Sequence, residues 1–201
     1  MKHKKFDTRS LVLISVLGAI LLVMSFTPLG YLNIGPLAIS LNMIPVAIAA
    51  VALGPVAGAI LGGIFGITSF LQCLGIGGVS AMGVILFEIS PLLAFVQRFV
   101  PRLLAGLMSG FAYQALKRVG KPSIACFVTG FSAALLNTVL FMTALVLLFG
   151  NTEYIQNLIA GRNVVLFMCT FVGVNAVVEM FACCLIVGVV GRVLTKFLVR
   201  R

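Results

Sequence analysis

Arg98 and Arg102 lie four residues apart near the start of one apolar stretch, and Arg162 precedes the last one. A guanidinium grips a carboxylate through paired hydrogen bonds, so these three side chains at one end of a helix bundle would suit a small organic anion. Amides would supply the complement. Asn42, Gln72, Asn137 and Asn175 can each donate to and accept from the neutral polar parts of such a solute. Glu179 follows Asn175 by one helical turn and shares its face. Tyr31, Phe70 or Phe87 could close the site as an apolar cap. Each group also has a plainer reading. The amides and Glu179 can crosslink helices, and the arginines can snorkel to lipid headgroups or pair with Glu88 and Glu153.

Catalytic chemistry has little to work with. His3 stands alone in a polar tail, no His/Cys/acid constellation has useful spacing, and no nucleotide-hydrolase glycine loop is present. Cys73, Cys126, Cys169, Cys183 and Cys184 lack metal-site spacing, and their odd number argues against a complete disulfide framework. Buried free thiols are expected. The chain is read as a non-enzyme with no catalytic residue, no metal and no cofactor of its own. Three classes remain: a solute-binding transport subunit, a channel or facilitator, and a non-transporting membrane scaffold.

The elements that must carry these residues are membrane helices. Of 201 residues 62% are hydrophobic and 9% charged, against roughly a quarter charged in soluble domains. At roughly 20 residues per crossing, the length suits a single transmembrane domain over 1–201, with no separate soluble catalytic domain. The net charge of +10 reflects topology rather than nucleic acid, because the basic residues gather at the chain ends and in one short turn. Apolar runs predict helices over 10–26, 37–53, 56–71, 98–116, 123–149 and 163–190. The first has no small-residue cleavage site and is read as retained. Residues 27–36 read as an ordered loop, Gly54-Pro55 as a sharp break, and 72–97 as a structured or re-entrant loop. A separate span over 84–99 would give seven helices instead of six.

Charge placement favours six. Lys2, Lys4, Lys5, Arg9, Lys117, Arg118, Lys121, Arg192, Lys196, Arg200 and Arg201 then share one side, which the positive-inside rule makes cytoplasmic. Both termini fall there, and seven spans would separate the terminal clusters. Gly54, Gly58, Gly62 and Gly66 recur every four residues, and Gly106 and Gly110 repeat the spacing. Such stripes let backbones approach closely in lipid and predict internal packing. Ser15 and Ala19 give helix one a weaker version, which could equally be an exposed docking face.

The run Pro28-Leu29-Gly30-Tyr31-Leu32-Asn33-Ile34-Gly35-Pro36-Leu37, with Asn42-Met43-Ile44-Pro45 and Leu53-Gly54-Pro55-Val56-Ala57-Gly58-Ala59-Ile60-Leu61-Gly62, resembles the substrate-binding S components of energy-coupling factor (ECF) transporters. The resemblance covers nearly the whole chain. It implies an all-α integral membrane protein of six transmembrane helices with ordered outer loops, in a prokaryotic cell membrane. It implies a vitamin bound from outside, a transmembrane coupling (T) protein as partner, and two cytoplasmic ATPases that hold the ATP and Mg. Partner docking falls to Ser15 and Ala19, where the family often has two alanines. Tyr31, Asn42, Arg98, Asn137 and Asn175 become cavity candidates. The resemblance also implies closure of the first and third outer loops over the substrate, then tilting of the subunit. The first loop and Gly-Pro pair look most like the pantothenate-specific branch. Pantothenate carries one carboxylate, an amide and hydroxyls; biotin would make similar demands, and riboflavin would need a larger aromatic-lined site.

Overall fold

Where the helices begin and end follows from local chemistry. The computed structural model describes residues 7–27, 30–33, 38–78, 80–161 and 163–199. Asp7 caps α1 (Thr8–Phe26), accepting from the Thr8 N–H at 2.9 Å. A short antiparallel hairpin follows: β1 (Tyr31–Asn33) pairs with β2 (Ala38–Ser40), Leu32 opposite Ile39. Gly54, at φ 100°, ends α2 (Met43–Leu53), and Pro55 opens α3 (Pro55–Leu71). That φ disfavours any residue with a Cβ, and proline in a first turn gives up an N–H that had no helical partner. Ser80 caps α4 (Ala81–Ile89). Prolines then open α5 (Pro91–Val119) and α6 (Pro122–Phe149). The short α7 (Glu153–Ile159) and long α8 (Val164–Val199) complete the order.

Several expected boundaries are corrected. Residues 72–97 are not one loop: α4 occupies 81–89, and the helix expected from 98 begins at Pro91. Its nine residues rise only about 14 Å, so α4 ends far short of a separate span over 84–99. The segment expected as helix from 37 is strand at 38–40 and turns helical at Met43. The last helix runs on to Val199, beyond the expected end at 190.

Among the described residues five helices are long and apolar enough to cross a bilayer: α1, α3, α5, α6 and the 175–197 part of α8. With eleven residues, α2 is shorter than a crossing requires. Every side chain from Met43 to Val51 is buried, so α2 is wrapped by protein, where short helices and adjoining irregular backbone are tolerated at membrane depth.

Glycines set the closest contacts. A Cβ on Gly58 would overlap the Gly106 carbonyl and one on Gly106 the Gly58 carbonyl, while Gly62 and Gly66 meet the backbone of Arg102 and Phe99. The stripes of α3 and α5 therefore pack inside the bundle, as their spacing predicts, and they face each other. Gly130 against Cys183 gives α6 and α8 a similar approach. The face of α1 bearing Ser15 and Ala19 points away from the bundle, with Val12, Val16 and Val23 exposed around it.

These pairings sort the bundle by end. Gly54-Pro55 meets Gly110, Gly191 meets Val51 and Cys126, and Tyr113 meets Cys126 and Thr195. The α3 end at Ser69 faces the start of α5, and α1 runs alongside α3, with Gly18 near Leu61 and Ser25 bonded to Thr68. The start of α1 and the end of α8 thus share one end, and the hairpin, α4 and α7 lie at the other. Cys73, Cys126 and Cys183 are buried free thiols and Cys184 is half-buried; Cys169 has no described side chain.

Candidate functional site

At the hairpin end, α5 turns two arginines inward. Arg98 and Arg102 are only 7% and 6% exposed, so they do not snorkel to the surface. Their spacing of four puts both on one face. Two aromatic rings meet that face. The Arg102 guanidinium lies 4.7 Å from the Phe65 ring of α3 and 5.0 Å from the Phe141 ring of α6, and Arg98 lies 5.4 Å from Phe141. Such contacts contribute about 0.5–2 kcal/mol each, more when desolvated. Arg102 Nη1 also donates to the Arg98 carbonyl at 2.8 Å. Arg98 donates to Ser69 at 3.4 Å and Ser80 at 3.0 Å. Glu88 and Glu153, considered as its ion-pair partners, are exposed at the surface.

A carboxylate approaches from α8. Glu179, 7% exposed, accepts from the Ser40 N–H of β2 at 2.5 Å and lies within the field of Arg102. This bond ties the hairpin to α8. Two residues on, Asn42 is fully buried against Gly30, and neither end of its amide has a hydrogen-bond partner. Asn137 is buried on α6 with its Oδ1 unpartnered, one turn from Phe141. Gln97, fully buried beside Arg98, also has both amide atoms unpartnered. Pro101 removes the N–H that would bond the Gln97 carbonyl, adding to that polar spot. Buried polar atoms without partners cost about 1–3 kcal/mol each, so this end holds more hydrogen-bonding capacity than the protein itself uses.

The remaining expected residues are placed differently. Gln72 is buried, but its Nε2 donates to the Ser25 carbonyl at 2.8 Å beside the Ser25–Thr68 hydroxyl contact. It ties the end of α3 to α1. Phe70 and Phe87 join an apolar cluster with Leu86, Met142 and Phe149, their ring centroids 6.0 Å apart. Asn175 is half-buried on α8, one turn before Glu179. Arg162 and the side chain of Tyr31 lie outside the described residues. Phe65, Ser69, Ser80, Gln97 and Phe141 were not among the candidates read from sequence. Spacing could have found some of them, because Phe65 with Ser69 and Asn137 with Phe141 repeat the four-residue interval of Arg98 and Arg102.

Comparison with known proteins agrees with this architecture. The family described as ECF transporter, substrate-specific component, matches residues 9–191. A pantothenate transporter, PanT, of Leuconostoc mesenteroides is 30% identical over 197 residues, covering 93% of this chain and 92% of that protein.

Proposed function

The chain belongs to the substrate-specific component family of ECF transporters, and from that premise we propose that it binds pantothenate for uptake powered by its partner subunits. Membership makes it a multi-pass membrane protein that works with other ECF subunits. The observation that carries the substrate is the pair of buried arginines on α5, set against Phe65 and Phe141 with one buried carboxylate nearby. Two buried cations on one face suit a ligand with a single carboxylate. The relative's name points to the same solute.

In this reading Arg98 and Arg102 hold the carboxylate. Asn42, Asn137 and Asn175 meet the amide and hydroxyls, Glu179 accepts from a hydroxyl or keeps the hairpin in place, Tyr31 is assigned to the apolar cap, and Arg162 to the anion with the two α5 arginines. Gln72 contributes by fixing α1 to α3. The whole chain, 1–201, acts as one transmembrane binding domain in a prokaryotic cell membrane, with the hairpin end extracellular and both termini cytoplasmic. Ser15 and Ala19, exposed on α1, meet the coupling T protein. ATP and Mg belong to two cytoplasmic ATPases, so this chain supplies recognition and no hydrolysis. Calorimetric titration of the purified protein with pantothenate, biotin and riboflavin tests the reading. One pantothenate bound tightly per chain is expected, and a folded protein that binds biotin or riboflavin instead would overturn it.

A further inference from the structure

Small residues from α3 and the start of α4 meet the Arg98 guanidinium, which also faces the Phe141 ring. Its Nη1 donates to Ser69 of α3, and its Nη2 to Ser80, which also caps α4 by accepting from the Gly83 N–H at 3.3 Å. Gly83 leaves the room: a Cβ there would stand 2.9 Å from Arg98 Nη2 and 2.7 Å from Cys73 Sγ. Both terminal nitrogens of the guanidinium thus face serine hydroxyls. Its Nε is buried with no hydrogen-bond partner. Arginine can hold a carboxylate through its two terminal nitrogens or through Nε together with one of them. Each serine engages one terminal nitrogen, and Nε is the guanidinium nitrogen left without a partner.

We infer that Ser69, Ser80 and Gly83 are positioning residues that reserve the Nε edge of Arg98 for the ligand carboxylate, and so set the preference for an acid over its uncharged analogue. The inference rests on the pantothenate reading above. A fixed guanidinium loses less freedom on binding than a mobile one, and the serines fix it without bringing a competing negative charge. A carboxylate in their place would neutralise the attraction; a hydroxyl only orients it.

The test compares pantothenate with panthenol, in which an alcohol replaces the carboxylate, by calorimetry on the purified full chain, with thermal unfolding alongside. Wild type is expected to bind pantothenate at least about tenfold more tightly than panthenol, the scale of one hydrogen bond to a charged group. Ser69→Ala/Ser80→Ala should weaken pantothenate about tenfold and panthenol less than about twofold. Ser80→Thr, which keeps the hydroxyl, should retain the preference. Should the double variant fail to fold, Ser69→Ala, which spares the α4 cap, decides through a smaller loss of about threefold confined to pantothenate. Equal weakening of both ligands, or an unchanged ratio, would make the serines merely structural and overturn the inference while the function stands. Wild type that fails to bind pantothenate would overturn the function reading itself, and the inference with it.

Discussion

Arg98 and Gln72 are both buried polar side chains at the hairpin end, yet their hydrogen bonds assign them different work. Arg98→Lys keeps the charge and loses the planar fork. Calorimetry should show pantothenate affinity down by about tenfold or more, the worth of a charge-assisted hydrogen bond, in a protein that still unfolds cooperatively. Gln72→Leu should do the reverse: near-normal affinity, but faster hydrogen exchange at the end of α1 as the tie to Ser25 is lost. Slow exchange there would sink the crosslink assignment. Phe141→Leu removes a ring that two guanidiniums share, and should lower stability by about 1–3 kcal/mol in denaturant titration. The arginine pair was legible because buried charge in an apolar run is conspicuous. Phe141 was not, since one phenylalanine among sixteen carries no mark of its surroundings until its helix is set against α5.

Glycine spacing marked α3 and α5 as closely packed helices, because close helix packing in lipid needs small residues in register, and the fold pairs them with each other. Gly106→Val forces a side chain into the Gly58 carbonyl, and should cost about 1–3 kcal/mol as overpacking. Thermal unfolding in detergent measures it, and an unchanged midpoint would mean that the helices can part freely. The segment before α5 was harder to read. Glycines over 75–78, Glu88 and Pro91 suggested a loop, but Ser80 is an N-cap and Pro91 a first-turn proline, and both start helices. The hairpin was hidden for another reason. Three-residue strands are too short to show alternation, and the bond that ties β2 to Glu179 of α8 joins residues far apart in the chain, beyond any local pattern.

Across the whole molecule, charge and polarity separate by end. Arg9, Lys117, Arg118, Lys121, Arg192 and Lys196 are exposed at the end where α1 begins, while Glu88 and Glu153 are exposed near the hairpin. With the basic end cytoplasmic, a membrane-impermeant thiol reagent applied to intact cells should label Asn157→Cys and spare Lys121→Cys in a cysteine-free background. The opposite pattern would reverse the orientation. The brevity of α2 bears on how the chain is made. Eleven residues are too few for the insertion machinery to stabilise across a bilayer alone, so α2 has no resting place in lipid until α3 has been synthesised. The tight Gly54-Pro55 turn lets the two enter as a hairpin, and a chain truncated after residue 53 and released from the ribosome should leave α2 outside the hydrocarbon.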